Sequence, residues 1–356
     1  MTQDTVMDAL RGVKYPGFSR DIVSFGLVRS VEVAPSGAVS VRMALTTHDD
    51  AAVKRIGEAV ETALKAIGVG APEISIEVDR PPASPASQQT GPATTSPGAL
   101  SKVKHVVAIA SGKGGVGKST FSVNLAVALS RELAARGRPL RAGLMDCDIY
   151  GPCVPLMLGL RDRPAVTAEE HLVPVENFGV RAMSMGLLLD PDQPVLWRGP
   201  MIMKTIRQFA SEVSWGELDI LIVDLPPGTG DTQLSLVQTI PLSGVLIVTT
   251  PQDAAASVAR RGAMLFGKVN VPLLGVAENM SYFEDANGLR QYLFGQGGGL
   301  RTAGDLGAEF LGEIPLDPRV REGGDAGVPV CVAHPDSHAA RAFRSIALRL
   351  LQKLGL

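Results

Sequence analysis

SGKGGVGKST, residues 111–120, carries two lysines where phosphate binding needs one. Gly112, Gly117, Lys118 and Ser119 fit the spacing GxxxxGK[ST]. The run follows the apolar stretch VVAIAS and opens the helical stretch TFSVNLAVALSREL. A strand before and a helix after are the context that gives this spacing its meaning. Glycines let backbone N–H groups turn inward around phosphates, and the helix N-terminus adds the positive end of its dipole. A glycine-rich turn with no ligand is the competing reading, and the companions of the loop weigh against it.

The spacing assigns Lys118 to the β- and γ-phosphates, Ser119 to Mg²⁺ and Thr120 to the α-phosphate, with Gly112, Lys113, Gly114, Gly115, Val116 and Gly117 lining the cradle. Asp224 ends the apolar run DILIVD and precedes LPPGTGD. Its carboxylate then stands beside Mg²⁺, with Gly228 where a loop senses the γ-phosphate. Asp146 and Asp148 lie in MDCDIYGP at the end of another strand, and Asp148 is favoured to orient a water for in-line attack. Asn279 ends LLGVAEN, where its amide has the groups to pair with adenine or simply to make a turn. ATP and Mg²⁺ are therefore the expected ligands, and conversion of ATP to ADP and phosphate the expected reaction, with Lys113, Lys118, Asp148 and Asp224 as its catalytic residues.

Around this loop, apolar strands alternate with helical stretches: 106–111, 140–146, 219–225, 244–250 and 273–279. Continuous apolar runs of this kind belong to parallel strands covered by helices on both faces. The fold class is α/β, a mostly parallel P-loop NTPase sheet, and the motifs fall at the carboxyl ends of its strands, where ligands bind. Residues 1–80 read as a small α+β domain with a helix at 3–11, strands in VSFGLVRSVEV and AVSVRMALTT around the turn APSG, an amphipathic stretch carrying Val53, Ile56, Val60, Leu64 and Ile67, and a last strand EISIEV. Between them, residues 81–102, PPASPASQQTGPATTSPGALSK, have too little apolar surface to offset ordering and read as a flexible linker. Residues 103–356 form the NTPase domain.

With 356 residues, 45% hydrophobic and 20% charged, the chain has the composition of a globular protein. A net charge of −2 and the lack of a basic tract argue against nucleic acid as partner. The start lacks a secretory leader and no run of about 18 apolar residues is present, so a cytoplasmic protein without a membrane span is expected. Three cysteines, Cys147, Cys153 and Cys331, make neither a disulfide framework nor a CxxC pair.

The second lysine makes KGGVGKS resemble the deviant Walker A motif of the MinD/ParA class. That resemblance implies that Lys113 reaches across a homodimer to the partner's nucleotide, where a cation neutralises charge building up in the transition state. Within the class, SGKGGVGKST, DCDIYGPCVP, LIVDLPPGTGDTQLSL, ENMSYF, FGQGGG and IPLDPRVREGGDAGVPV, spread over nearly all of residues 103–345, resemble the Mrp/ApbC family of iron–sulfur cluster carrier ATPases. DIVSFGLVRSVEV with its following TT looks like the small domain that precedes the ATPase in many members. The resemblance implies slow ATP hydrolysis by a homodimer. It also implies a [4Fe–4S] cluster held at the dimer interface by paired CxxC motifs, and traffic with apo iron–sulfur proteins or cluster scaffold proteins.

The chain departs from that pattern where the cluster would sit. SYFEDANGLRQYLFG has Asp285 and Gly288 where the family has thiolates, and TTHDDAAV lacks the cysteine usual in the small domain. Clusters are held chiefly by thiolates. Cluster ligands are thus unassigned, with Cys147 and Cys153 as candidates and a small buried hydrophobe as the competing role for both. Cys331, His334 and His338 stand at C-x2-H-x3-H, a metal-like spacing without the fourth ligand of a closed zinc site, and the favoured reading is structural, a loop with Asp336 or Ser337 capping the final helix.

Two other functions compete. A spatial regulator of the MinD/ParA kind would bind a membrane or partner as an ATP dimer through the last helix, where Phe343, Ile346, Ala347, Leu350, Leu351 and Leu354 share one face. Packing of that face on the sheet is the favoured reading, so membrane binding is not expected. The other alternative is an ATPase scaffold that holds no cluster itself.

Overall fold

The computed structural model describes residues 2–13, 21–23, 27–34, 38–46, 50–79, 99–189, 199–228, 231–285 and 287–356. The chain divides into two units, Met1–Thr94 and Thr95–Leu356.

The first unit contains helix α1 (Gln3–Arg11), strands β1 (Val28–Val33) and β2 (Val39–Thr46), helix α2 (Asp50–Ala66) and strand β3 (Glu73–Asp79). The Thr2 hydroxyl caps α1 by accepting the Thr5 N–H. β2 lies between an antiparallel β1 and a parallel β3. Val39, Val41 and Met43 alternate inward from β2 and meet Ile56, Val60 and Leu64, which recur every fourth residue on α2. Residues 35–37 of the expected APSG turn, and 47–49 of the TT segment, lie outside the described residues.

The described part of the second unit opens with a 3-10 turn, Ala99–Lys102, whose Leu100 is buried in the core. The last four residues of the expected linker are therefore folded, because Leu100 gains apolar contacts there. Residues 81–98 lie outside the described residues. The chain continues through β4 (Val103–Ala110), α3 (Lys118–Ala135), β5 (Ala142–Asp146), α4 (Val154–Met157), β6 (Val175–Asn177), β7 (Val180–Met183), α5 (Gly199–Ser211), β8 (Leu218–Asp224), α6 (Asp231–Thr239) and β9 (Gly244–Thr249). It ends with α7 (Asp253–Lys268), β10 (Leu273–Glu278), a short hairpin β11 (Phe283–Glu284) and β12 (Arg290–Gln291), α8 (Gly298–Asp305), β13 (Phe310–Glu313), α9 (Pro318–Ala326), α10 (Val330–Ala333) and α11 (His338–Lys353).

Eight strands form one sheet in the order β13-β10-β9-β4-β8-β5-β7-β6, parallel except for the edge pair β6–β7. Alternate residues of each central strand enter different cores. Val107 and Ile109 of β4, Ile220 and Ile222 of β8, and Leu246 and Val248 of β9 face α3 and α11. Val106, Ala108, Leu221, Val223, Val245 and Ile247 face α5, α6 and α7. Burial on both sides is why these segments read as unbroken apolar runs.

The final helix begins where the Ser337 hydroxyl accepts the Ala340 N–H. Phe343, Ile346, Ala347, Leu350 and Leu351 are buried against α3 and the sheet, with the Phe121 and Phe343 rings 5.8 Å apart. The apolar face proposed for an interfacial helix is thus occupied by the protein's own core. No helix among the described residues is long and apolar enough to cross a membrane.

Candidate nucleotide site

The carboxyl ends of β4, β5, β8, β9 and β10 converge on residues 111–120. Gly112 permits this convergence: a Cβ there would fall 2.4 Å from the Ala259 nitrogen, in the backbone of α7. Gly115 and Gly117 hold φ of +79° and +76°, which L side chains rarely adopt, and Gly117 leads directly into α3. The loop therefore curls tightly before the helix N-terminus.

Asp224 is the hub of the site and is fully buried. Lys118 Nζ lies 2.7 Å from its Oδ1. The Ser119 hydroxyl donates to Oδ2 at 2.6 Å, and the Ser122 hydroxyl donates to Oδ1 at 2.6 Å. Ser122 is absent from the motif pattern; its one signal in sequence is a polar residue one helical turn beyond Lys118, between the apolar Phe121 and Val123. The sequence-predicted Mg²⁺ ligands Ser119 and Asp224 are thus adjacent, and two hard oxygens beside a lysine suit a hydrated Mg²⁺ carrying phosphates.

Asp146 pairs in register with Asp224 across β5 and β8. Its Oδ1 accepts the Asp148 N–H at 3.0 Å, and its Oδ2 accepts the Ser184 hydroxyl at 2.9 Å. Burial, followed by the charge of Asp224, pushes the Asp146 carboxyl up to about 7. Asp148 is half-buried, and its Oδ1 accepts the Gly151 N–H at 3.3 Å. Gly228 holds φ +109° in open space, where a Cβ would meet nothing within 4 Å, and the Gln233 side chain donates to the Pro226 carbonyl in the same loop.

Lys113 is half-buried, with its ammonium 3.1 Å from Gln252 Oε1. Motif reading misses Gln252 because it lies 139 residues away, after β9. Asn279 Nδ2 donates to the Val116 carbonyl at 2.8 Å, so this amide braces the loop. An amide has a second N–H and a carbonyl to offer a base. Asn279 and Thr120 line a cleft of about 280 Å³ with Leu156, Met157, Met280, Pro315 and Val320. Its lining is mainly apolar, with Asp317, Arg321 and Asp325 also present, and its volume has room for a heterocyclic base.

The cysteines are poorly placed for a cluster. Cys147 is 1% exposed, and burial followed by the charge of Asp146 raises its thiol well above the ordinary range. It belongs to the core formed with α5, α6 and α7, the small buried hydrophobe of the competing reading. Cys331 is buried and pushed up to about 12. Cys153 is exposed, with its thiol donating to the Gly151 carbonyl and raised by partial burial and then by Asp146. At the position of the missing CxxC, Asp285 Oδ1 accepts the Asn287 and Leu289 N–H groups, both at 2.9 Å, closing the β11–β12 hairpin. Gly288 donates its N–H to the Asp285 carbonyl. His338 Nδ1 lies 2.8 Å from Glu284 Oε1, and no group of three or more metal-ligating side chains occurs among the described residues.

A glycine-cradled lysine, a strand-end aspartate and a parallel sheet define a P-loop NTPase. The model of the NUBPL iron-transfer P-loop NTPase matches residues 102–351, and that of an iron-sulfur cluster assembly protein matches residues 3–76. The chain belongs to the NUBPL iron-transfer P-loop NTPase family. An iron-sulfur cluster carrier protein of Synechocystis is 44% identical over 100% of this chain and 99% of its own length. One of Deinococcus radiodurans is 45% identical over 99% and 96%. Among solved structures, a nucleotide-binding protein of Archaeoglobus fulgidus in complex with ADP is 39% identical, with a TM-score of 0.56, covering 64% of this chain and 88% of that one.

Proposed function

We propose that the chain is an ATP-hydrolysing homodimer that serves iron–sulfur cluster assembly or delivery. The observation that carries the reading is the Lys118–Asp224–Ser119 cluster at the mouth of the glycine loop. The names of the relatives supply the cargo.

In this reading the backbone N–H groups of 112–119 and Lys118 hold the phosphates, and the cleft beside Asn279 takes adenine. Ser119 and Asp224 hold Mg²⁺, which when bound offsets the charge of the β- and γ-phosphates. Asp148 orients the attacking water, and Lys113 leaves Gln252 to enter the partner's site, so that turnover depends on pairing. The protein acts in the cytoplasm on apo iron–sulfur proteins or cluster scaffold proteins.

The cluster itself is handled without a four-thiolate set from one chain, since Cys153 is the single exposed cysteine. This observation favours a second form of the function: a nucleotide-driven scaffold whose cluster ligands come mainly from the other protein. Anaerobic reconstitution with iron and sulfide distinguishes the two. Carriage by this chain requires a cluster chromophore that Cys153→Ser abolishes; the scaffold form requires equal, negligible uptake by wild type and variant.

A further inference from the structure

Glu278 is fully buried at the end of β10, and among the described residues no ion pair engages it. Its Oε1 accepts the Ser281 hydroxyl at 2.6 Å, and its Oε2 accepts the Gly299 N–H in the first turn of α8. The N-cap residue of α8, Gly297, has a left-handed conformation and no side chain to supply a cap. The carboxylate of a distant strand takes over that role, with the helix dipole favouring its charge. Gly298 and Gly299 bring α8 close enough: a Cβ would lie 2.3 Å from the Pro251 carbonyl oxygen at the first and 2.7 Å from Glu278 Cβ at the second.

Successive residues of an extended strand project to opposite sides. Asn279, the next residue, braces the Val116 carbonyl and crowds Gly117 in the phosphate loop. Met280 then adopts φ +55°, a strained value for a long side chain, while lining the cleft beside Asn279. Ser281 returns to Glu278 through its hydroxyl and donates its N–H to the Ile314 carbonyl. One short turn therefore touches the nucleotide cleft on one side and the start of α8 on the other.

The chain between that turn and α8 is the β11–β12 hairpin and the exposed stretch 287–296, in which Leu289 and Leu293 are 64% and 58% exposed. We propose that Glu278 is a positioning residue that couples occupancy of the nucleotide cleft to the conformation of the 287–297 segment. A base entering the cleft displaces Met280 or tightens Asn279 on the loop. Glu278 passes that shift to Gly299, and the segment anchored there changes its exposure. The inference rests on the nucleotide reading of the cleft.

Hydrogen exchange of the full chain with and without MgADP tests it, with binding followed in parallel by calorimetry. Bound MgADP should change exchange in peptides spanning 287–299 by about tenfold in the wild type. Glu278→Gln should lose that change while its affinity for MgADP stays within about threefold. Ser281→Ala, which removes one partner and little volume, should weaken the response in the same direction and serves if Glu278→Gln does not fold. An unchanged 287–299 segment in wild type with MgADP bound overturns the coupling, as does a full response in both variants. Absence of any MgADP binding overturns the reading of the cleft instead, and calorimetry tells the two failures apart.

Discussion

The ammonium of Lys113 rests 3.1 Å from Gln252 Oε1 of its own chain, and the Thr250 hydroxyl meets the same oxygen at 3.3 Å. A lysine that works in a partner's site has to exchange this neutral acceptor for phosphate. Lys113→Ala is expected to lower turnover by about 10²–10³-fold, the usual effect of losing one preorganised donor to transition-state charge. Nucleotide affinity should stay within about threefold, because Lys118 and the loop amides remain. Steady-state kinetics beside calorimetry checks this, and unchanged turnover rejects the cross-dimer role.

Lys118 and Asp224 form a buried ion pair, 6% and 0% exposed. Asp224→Asn leaves the ammonium without its carboxylate and should cost about 3–5 kcal/mol in urea unfolding of the second unit. The same substitution should abolish the Mg²⁺ dependence of nucleotide binding. Retention of both stability and Mg²⁺ dependence would show that Asp224 is not the hub.

Stability without nucleotide or metal should depend on Asp146. Burial and the charge of Asp224 raise its carboxyl from 3.8 to about 7, so the folded state holds a proton that the unfolded chain has released. The contribution to stability is therefore full below the ordinary carboxylate range and declines as pH rises toward about 7. Denaturation midpoints measured across that window should fall with increasing pH, and Asp146→Asn should flatten the trend.

Thiol labelling should single out Cys153. Cys147 and Cys331 are buried with raised thiols, so iodoacetamide at about pH 8 should modify them only after unfolding. Cys153 should react more slowly than a free thiol, because burial and then Asp146 raise it, and its rate should climb with pH. Mass spectrometry of the labelled native protein reads the result directly. Rapid native labelling of Cys147 would instead favour it as a cluster ligand.

The terminal helix should contribute to folding, with no role at a lipid surface. Phe343 is 1% exposed against Phe121, so Phe343→Ala should cost about 3–5 kcal/mol. Wild-type protein should stay in the supernatant with anionic vesicles whether or not MgATP is present.

The strands that carry the site are legible in sequence because their cores, VVAIA, ILIV and GVLIV, are buried on both sides and unbroken by polar residues. The glycine loop is legible because its phosphate chemistry fixes local spacing. β6, β7 and β13 have three, four and four residues, too few for a periodic signal, and the β6–β7 turn depends on positive φ at both Phe178 and Gly179. Gln252, Ser184 and Glu278 escape motif reading because each acts through a contact that only the tertiary fold creates. The short CVAHPDSH spacing has a local explanation: Ser337 caps α11, and Cys331 packs beneath α3.

Nucleotide binding by the glycine loop is the step on which every other role depends, and calorimetric titration of MgADP into wild type and Lys118→Ala measures it. Saturable binding by the wild type is expected, with about one nucleotide per chain, and its loss in the variant. Wild-type protein that is folded and yet releases no heat of binding, or a variant that binds as well as the wild type, would contradict a phosphate-binding role for this loop.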